Sequence, residues 1–208
     1  MRYRFITIEG NIGAGKTTLS KKLAEHYNAK LILESFADNP FLAKFYDDPE
    51  KHAFAVELFF MAERYKQIQE FTSTSDLFHE HYISDYLFYK SLIFAKVTLN
   101  DDERRLFYRL FEIINSTLPE PEIIIYLHRR VETLLENIRK RGRKYELKIQ
   151  AEYLLKLEKN YFQYLKSISN SIVIVADMDT TDFESSEKDF EKINRILDKS
   201  YEKGIHFV

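Results

Sequence analysis

The stretch Gly10-Asn11-Ile12-Gly13-Ala14-Gly15-Lys16-Thr17 decides the fold of this 208-residue chain. It matches the phosphate-loop pattern of Gly, four residues, Gly-Lys and Ser or Thr. The glycines permit backbone angles at which successive N–H groups converge on an anion at the start of a helix. Lys16 is then expected to reach the outer phosphates of a nucleotide, and the Thr17 hydroxyl to ligate Mg²⁺. A chance glycine turn is the alternative, so the flanking sequence matters.

Those flanks have the form that a true phosphate loop requires. Arg4 to Glu9 is apolar and β-branched enough for a buried parallel strand, and Thr17 to Tyr27 has the spacing of a helix. The loop is therefore predicted to bind a nucleotide, with ATP as the phosphate donor and Mg²⁺ as its ion.

Five apolar runs of strand length alternate with helix-length segments. The runs are Phe5 to Ile8, Lys30 to Leu33, His81 to Ser84, Ile123 to Leu127 and Ile172 to Val175. This alternation predicts a single α/β domain over residues 1–208, in which helices flank a five-stranded parallel sheet and ligands bind at the carboxyl ends of the strands. Polar residues stand at or just past those ends, namely Glu9, Glu34, Asp85, His128 and Asp177. We expect them to face the ligand crevice and not the core.

Composition restricts the class of partner. Lysine and arginine number 31 against 33 aspartates and glutamates, so the formal charge of −2 favours a small ligand over a nucleic acid. Cysteine is absent, and no run of about 18 apolar residues exists to cross a membrane. A cytoplasmic protein without a membrane partner is expected. Aromatic residues make up 15% of the chain, and they either line a pocket for a flat ligand or simply fill the core.

The long amphipathic helix predicted over residues 53–71 carries charge on its apolar stripe. Phe54, Glu57, Met61 and Arg64 recur at i, i+3, i+7 and i+10. Two charges on such a stripe indicate a binding face, an internal ion pair or a stripe at the solvent boundary. The residues alone leave these alternatives open.

A basic segment closes the helix predicted over residues 131–141. Arg139-Lys140-Arg141-Gly142-Arg143-Lys144 places five positive charges around one glycine. An ordinary helix C-terminus has the same composition, because cations favour the negative end of the helix dipole and glycine accepts a left-handed cap. In a chain with a phosphate loop we favour a lid that closes over ATP.

With these motifs in place, the chain resembles the deoxynucleoside kinases across nearly its whole length. Ile8 to Thr18 looks like the phosphate loop of that family, and Glu34 matches the general base that follows its second strand. Tyr46-Asp47-Asp48-Pro49-Glu50 resembles the segment whose Tyr holds the sugar 3′-hydroxyl. Arg141-Gly142-Arg143-Lys144-Tyr145-Glu146 resembles the lid, with its arginines on phosphates and its glutamate on the sugar.

The resemblance implies a homodimer that transfers the γ-phosphate of ATP to the 5′-hydroxyl of a deoxynucleoside. We assign the chemistry to Lys16, Glu34, Arg141 and Asp85, with Thr17 and Asp85 as metal ligands. The residues expected at ATP are Gly10, Asn11, Ile12, Gly13, Ala14, Gly15, Lys16, Thr17, Thr18, Arg141, Arg143 and, in the adenine loop over 177–182, Asp177. Those expected at the acceptor are Glu34, Tyr46, Glu57, Met61, Arg64, Phe94 and Glu146.

One departure from the family pattern bears on the substrate. Glu57 stands where the long helix usually carries a Gln that reads the base, whereas Arg64 and the stacking Phe94 are in place. An ionised Glu57 only accepts hydrogen bonds, so it requires two adjacent donors. Guanine offers N1–H and its 2-amino group, which predicts a purine kinase that favours deoxyguanosine. A pterin presents the same edge, and a protonated Glu57 would admit adenine.

A second departure bears on catalysis. Ser84-Asp85-Tyr86 stands where the third strand usually ends in Glu/Asp-Arg-Ser, so Asp85 reverses the charge of the middle residue. Loss of that charge would fit a nucleotide-binding subunit with little kinase activity. Because Lys16, Glu34 and the lid arginines are intact, an active kinase with Asp85 in a metal-linked role is the favoured interpretation.

Overall fold

The computed structural model describes residues 1–35, 39–73 and 79–208, with the backbone alone at 71–73. The strands are β1 (Phe5–Gly10), β2 (Lys30–Ile32), β3 (Tyr82–Ser84), β4 (Ile123–His128), β5 (Ile172–Asp177) and β6 (Gly204–Phe207). The helices are α1 (Lys16–Tyr27), α2 (Leu42–Asp47), α3 (Pro49–Ser73), α4 (Lys90–Thr98), α5 (Asp101–Asn115), α6 (Val131–Arg141), α7 (Ala151–Ser167) and α8 (Glu187–Asp198), with a 3₁₀ helix at Lys144–Lys148.

The six strands form one sheet in the order β2-β3-β1-β4-β5-β6, and every neighbouring pair is parallel. The five predicted strands are all present. β1 lies between β3 and β4, so the loop that follows it emerges beside the carboxyl ends of both neighbours. This arrangement brings the phosphate loop close to residues that follow β3, although about 70 residues of chain separate them.

The predicted count of five strands is wrong, because β6 adds a sixth strand at the edge of the sheet. It pairs with β5 from Ile172 opposite Gly204 to Val175 opposite Phe207. Its four residues, Gly-Ile-His-Phe, are at most half-buried and show little alternation, so they carry a weak sequence signal. Backbone pairing with β5 makes this segment a strand.

Side chains that alternate along the strands bury two faces of the sheet. Ile123 and Ile125 of β4 pack in a core with α1, α6 and α8, whereas Ile124 and Tyr126 pack in a core with α4 and α7. A run that is apolar at every position is typical of a parallel strand with both faces covered. Among the described helices, none is long and apolar enough to span a membrane.

Candidate active site

Two glycines of the phosphate loop have backbone angles that residues with a side chain rarely adopt. Gly13 has a φ of 84° and Gly15 a φ of 95°, both in the left-handed region. A Cβ at Gly13 would lie 2.7 Å from the Leu134 carbonyl oxygen, and one at Gly15 would lie 2.8 Å from Cζ of Phe183. The loop is therefore packed between α6 and the segment that follows β5.

Lys16 begins α1 and folds back over this loop. Its ammonium donates to the carbonyl oxygens of Gly10, at 2.8 Å, and Asn11, at 2.9 Å. Burial, together with the nearby Lys90 ammonium, lowers the pKa of Lys16 to about 8. The Asn11 side chain donates to the Leu154 carbonyl at 2.8 Å, which joins the loop to α7.

Glu34 lies two residues after β2 and is held by cations on both carboxylate oxygens. Its Oε1 accepts from Arg64 Nε at 2.8 Å and Nη2 at 2.5 Å, and its Oε2 accepts from Lys90 Nζ at 2.7 Å. Burial by itself would raise the pKa of Glu34, but Lys90 and Arg64 hold it well below its usual range. Glu34 is therefore ionised at neutral pH, and its orientation is constrained from two sides.

Asp85 follows β3 and joins the phosphate loop to the Glu34 segment. Its Oδ2 accepts from the Thr17 hydroxyl at 2.5 Å, and its Oδ1 accepts from the Glu34 backbone N–H at 2.8 Å. Tyr86, the next residue, is 1% exposed and donates to the Arg64 carbonyl at 3.4 Å. The unusual Asp85-Tyr86 pair thus contributes one carboxylate beside the phosphate loop and one core side chain behind α3.

A single cavity is lined by side chains from both ends of the predicted site. Those among the predicted residues are Ile12, Lys16, Thr17, Glu34, Tyr46, Glu57, Arg64, Asp85, Phe94, Arg141, Arg143 and Glu146. Met61 is 1% exposed within the core, and Phe60 lines the cavity on that turn of α3. A separate cavity of about 290 Å³ lies between the start of β4 and the end of α7, and none of the predicted site residues line it.

Glu57 has a very different environment within the same cavity. It is 2% exposed, and its Oε1 accepts from the Thr98 hydroxyl at 3.1 Å. Its Oε2 is buried and has no hydrogen-bond partner within the described part of the chain. Burial raises the pKa of Glu57 to about 7, although the nearby Arg64 opposes that shift. A buried acceptor in need of a partner is what a ligand-reading side chain presents before its ligand binds.

The basic segment after α6 is both a helix C-terminus and part of the cavity wall. Gly142 caps α6 with a φ of 72°, as the helix-end interpretation predicts. Arg141 and Arg143 both donate to the Glu146 carboxylate, Arg143 at 3.1 Å. Tyr145 stacks on Tyr46 with ring centroids 5.8 Å apart. The segment therefore lies against α2 and brings two guanidinium groups to the cavity.

Three of the strand-end residues, Glu9, His128 and Asp177, do not line this cavity. His128 instead pairs through its Nε2 with Glu158 Oε1 of α7, at 3.1 Å. The expectation for Glu9 is wrong, since Glu9 is 0% exposed and its carboxylate accepts from the backbone N–H groups of Gly10 and Leu87 and from the Tyr161 hydroxyl. Those three donors make it a fully satisfied internal group. Asp177 ends β5 at an exposed position and accepts from the Asp179 N–H at 3.0 Å.

Among the charged residues that line the cavity, Lys90 is the one that the sequence analysis missed. It is 5% exposed and begins α4. A signal was available, because Lys90 lies three residues after Leu87 and three before Ile93, on an apolar stripe. The same reasoning singled out Glu57 and Arg64 on α3.

The chain matches the family model for deoxynucleoside kinase over residues 6–201. It is 39% identical over 196 residues to the deoxyguanosine kinase of Bacillus subtilis (strain 168), an alignment that covers 91% of this chain and 93% of that protein. The deoxyadenosine/deoxycytidine kinase of the same organism is 31% identical over 196 residues, covering 90% and 88% of the two chains. Among solved structures, deoxyadenosine kinase from M. mycoides with bound dATP superposes with a TM-score of 0.81 at 26% identity, covering 94% of this chain and 100% of that one.

Proposed function

Because the chain belongs to the deoxynucleoside kinase family, we propose that it transfers the γ-phosphate of ATP to the 5′-hydroxyl of a purine deoxynucleoside, with deoxyguanosine favoured. Membership of the family makes it a kinase of nucleotide salvage, and the base preference and residue roles are our proposal. One observation carries it. The same cavity is lined by Lys16 and Thr17 at the phosphate loop and by Glu34 and Glu57 from elsewhere in the fold.

At the donor end, Lys16, Arg141 and Arg143 would bind the phosphates of ATP. Thr17 and Asp85 would hold Mg²⁺, because a hydroxyl and a carboxylate are oxygen ligands of the type that this ion prefers, and their side chains lie next to each other beside the phosphate loop. When bound, the ion supplies positive charge to the phosphate oxygens during transfer. The geometry of Asp85 supports this role and gives a reason for an acidic residue at that position.

At the acceptor end, Glu34 would accept a hydrogen bond from the 5′-hydroxyl and orient it in line with the γ-phosphate. Its lowered pKa makes it a weak base, so its main contribution is orientation of the hydroxyl, with the proton taken up late in the transfer. This order suits a loose transition state, in which the nucleophile gains little bond order before the proton leaves.

The base would be read by Glu57 and Arg64 beside the ring of Phe94. An ionised Glu57 would accept from the guanine N1–H and 2-amino group, and its Oε2, which has no hydrogen-bond partner among the described residues, supports that assignment. Arg64 already donates to Glu34 and Ser91, but each terminal nitrogen carries a second N–H, and guanine O6 would accept one of these. A base with two adjacent donors therefore satisfies the site best.

We also propose a homodimer that acts in the cytoplasm, where ATP is available. Leu106 and Ile113 lie seven residues apart on α5 and are 48% and 71% exposed. Two large apolar side chains on one helical face support burial against a second copy. Sedimentation of the wild type and of Ile113→Glu tests this. If both have twice the mass of the single chain, α5 is not part of the dimer interface.

The base preference is tested with a panel of deoxyguanosine, deoxyadenosine, deoxycytidine, thymidine and a pterin. Each compound is first assayed for a thermal shift with ATP and Mg²⁺, and then for turnover. We expect the highest kcat/KM with deoxyguanosine. Preference for a pyrimidine nucleoside would contradict the assignment of Glu57, and phosphorylation of the pterin alone would move the acceptor to that class. Binding of ATP without turnover on any acceptor would contradict the proposed activity.

A further inference from the structure

Lys90 is a buried lysine that directly contacts Glu34, the carboxylate proposed to orient the acceptor hydroxyl. Its Nζ lies 2.7 Å from Glu34 Oε2 and 5.5 Å from the centroid of the Phe94 ring. Its side chain is 6% exposed, and lysine is rarely buried to this extent without a role for its charge. The site described above assigns none to it.

We propose that Lys90 is a positioning residue for phosphoryl transfer, which fixes the Glu34 carboxylate so that one face of it remains available to the acceptor hydroxyl. The inference rests on the proposed function, because it presumes that Glu34 orients that hydroxyl. It identifies the group that acts through Glu34 and predicts how its loss changes the reaction.

The geometry distinguishes the tasks of the two cations. Arg64 holds Oε1 through Nε and Nη2, so by itself it leaves the carboxylate free to rotate about that contact. Lys90 adds the second contact, on Oε2, from a different helix. Two contacts from α3 and α4 fix the plane of the carboxylate, which a single partner does not.

Charge balance supports the same conclusion. Glu34 and Arg64 together are neutral, so an ion pair alone would satisfy the burial requirement. Lys90 gives this group a net charge of +1 in a cavity also lined by Lys16 of the phosphate loop. Burial and, to a smaller extent, the Lys90 ammonium lower the pKa of Lys16, while the carboxylates of Glu9, Glu34 and Asp85 oppose that shift. The negative charge of a bound triphosphate would favour the charged form of both lysines.

Lys90 also keeps Glu34 ionised. The charged groups that line the cavity around Glu34 are Lys16 from α1, Asp85 after β3, Glu57 and Arg64 from α3, Lys90 from α4, Arg141 at the end of α6, Arg143 just after it, and Glu146 from the 3₁₀ helix. Lys90 contributes most among the groups that lower the pKa of Glu34.

The test compares Lys90→Met and Lys90→Arg with Lys96→Met, a matched control near the other end of α4 whose ammonium contacts Gln163 in an exposed position. With deoxyguanosine and ATP, we expect Lys90→Met to lower kcat roughly 100-fold with a much smaller change in KM for ATP. Lys90→Arg should recover part of the rate, and Lys96→Met should resemble the wild type.

A double-variant cycle with Glu34→Gln separates positioning from a purely structural role. If Lys90 acts through Glu34, Lys90→Met should cost little further rate in the Glu34→Gln background. An equal loss in both backgrounds would overturn the inference. If Lys90→Met does not fold, Lys90→Gln and Lys90→Arg provide the same comparison of rates. Near-normal turnover of Glu34→Gln alone would instead contradict the proposed role of Glu34.

Discussion

Glu34 and Glu57 line the same cavity, and both are largely removed from water, yet their surroundings drive them in opposite directions. Glu34 is held by Arg64 and Lys90, so its pKa falls well below the usual range. Glu57 receives one hydroxyl hydrogen bond from Thr98, so burial dominates and raises its pKa to about 7. Burial disfavours the ionised form of both carboxylates, and the number of neighbouring cations determines whether that effect is overcome. One carboxylate is thereby kept ionised, and the other is poised between two protonation states.

Replacement of Glu34 is the strongest way to break this contrast. Glu34→Gln removes the charge that orients the acceptor hydroxyl, and we expect kcat to fall by roughly 100- to 10,000-fold. The measurement is steady-state turnover with deoxyguanosine. Glu25→Gln, at an exposed position of α1, is the control. The separate variant Lys16→Ala should be inactive in the same assay. If it is inactive while Glu34→Gln turns over at a near-normal rate, Glu34 is not the general base.

Replacement of Glu57 tests the other carboxylate. Glu57→Gln keeps the size of the side chain but replaces one acceptor oxygen with a donor NH₂, so one of two guanine contacts is lost. We expect kcat/KM for deoxyguanosine to fall about 10- to 100-fold, in line with the loss of about 1–3 kcal/mol for an unmatched buried polar group. The value for deoxyadenosine should hold or rise.

Glu50→Gln, at the exposed start of the same helix, is the matched control for that experiment. Equal losses with both purines in Glu57→Gln would indicate a structural effect of the substitution and contradict base reading by Glu57.

Asp85 connects the Glu34 segment to the phosphate loop. Its replacement therefore tests the third carboxylate of the cavity, at the end where ATP and Mg²⁺ are proposed to bind. In Asp85→Asn the side chain retains one acceptor oxygen but loses its charge, and we expect the Mg²⁺ concentration for half-maximal rate to rise roughly tenfold. Titration of Mg²⁺ at saturating ATP measures this, with Asp101→Asn at an exposed site as the control. An unchanged rate and Mg²⁺ dependence would remove Asp85 from the metal site.

The smallest expected effect is a pH dependence of base preference. Below its pKa of about 7, Glu57 is protonated and offers a donor and an acceptor, which suits adenine. Above that pH it is ionised and suits guanine. The ratio of kcat/KM for deoxyguanosine to that for deoxyadenosine should therefore rise a few-fold between about pH 6 and about pH 8. Glu57→Gln should abolish this trend, and a ratio that stays flat in the wild type would contradict it.

The sequence by itself was sufficient for the phosphate loop and the strands around it. Gly13, Gly15 and Lys16 follow a local pattern whose geometry is determined by adjacent residues, and continuous apolar runs are typical of parallel strands covered on both faces. The edge strand β6 was not predicted, because its pairing with β5, and not its own residue pattern, makes it a strand. The expectation for Glu9, which was based on its position at a strand end, was wrong. One of its three donors is its neighbour Gly10, but the other two, Leu87 and Tyr161, come from distant segments.

The ionisation and pairing of each charged group depend on the packed fold. Residue type and spacing indicated that Glu57 and Arg64 share a helix face, but they could not show that Arg64 pairs with Glu34, 30 residues away, while Glu57 keeps one oxygen without a partner in the described structure. Lys90 reaches Glu34 from a third segment, 56 residues further along the chain. A pKa depends on which charges lie within a few ångströms and how much water remains between them. Those distances exist only after α3, α4 and the end of β2 have packed together.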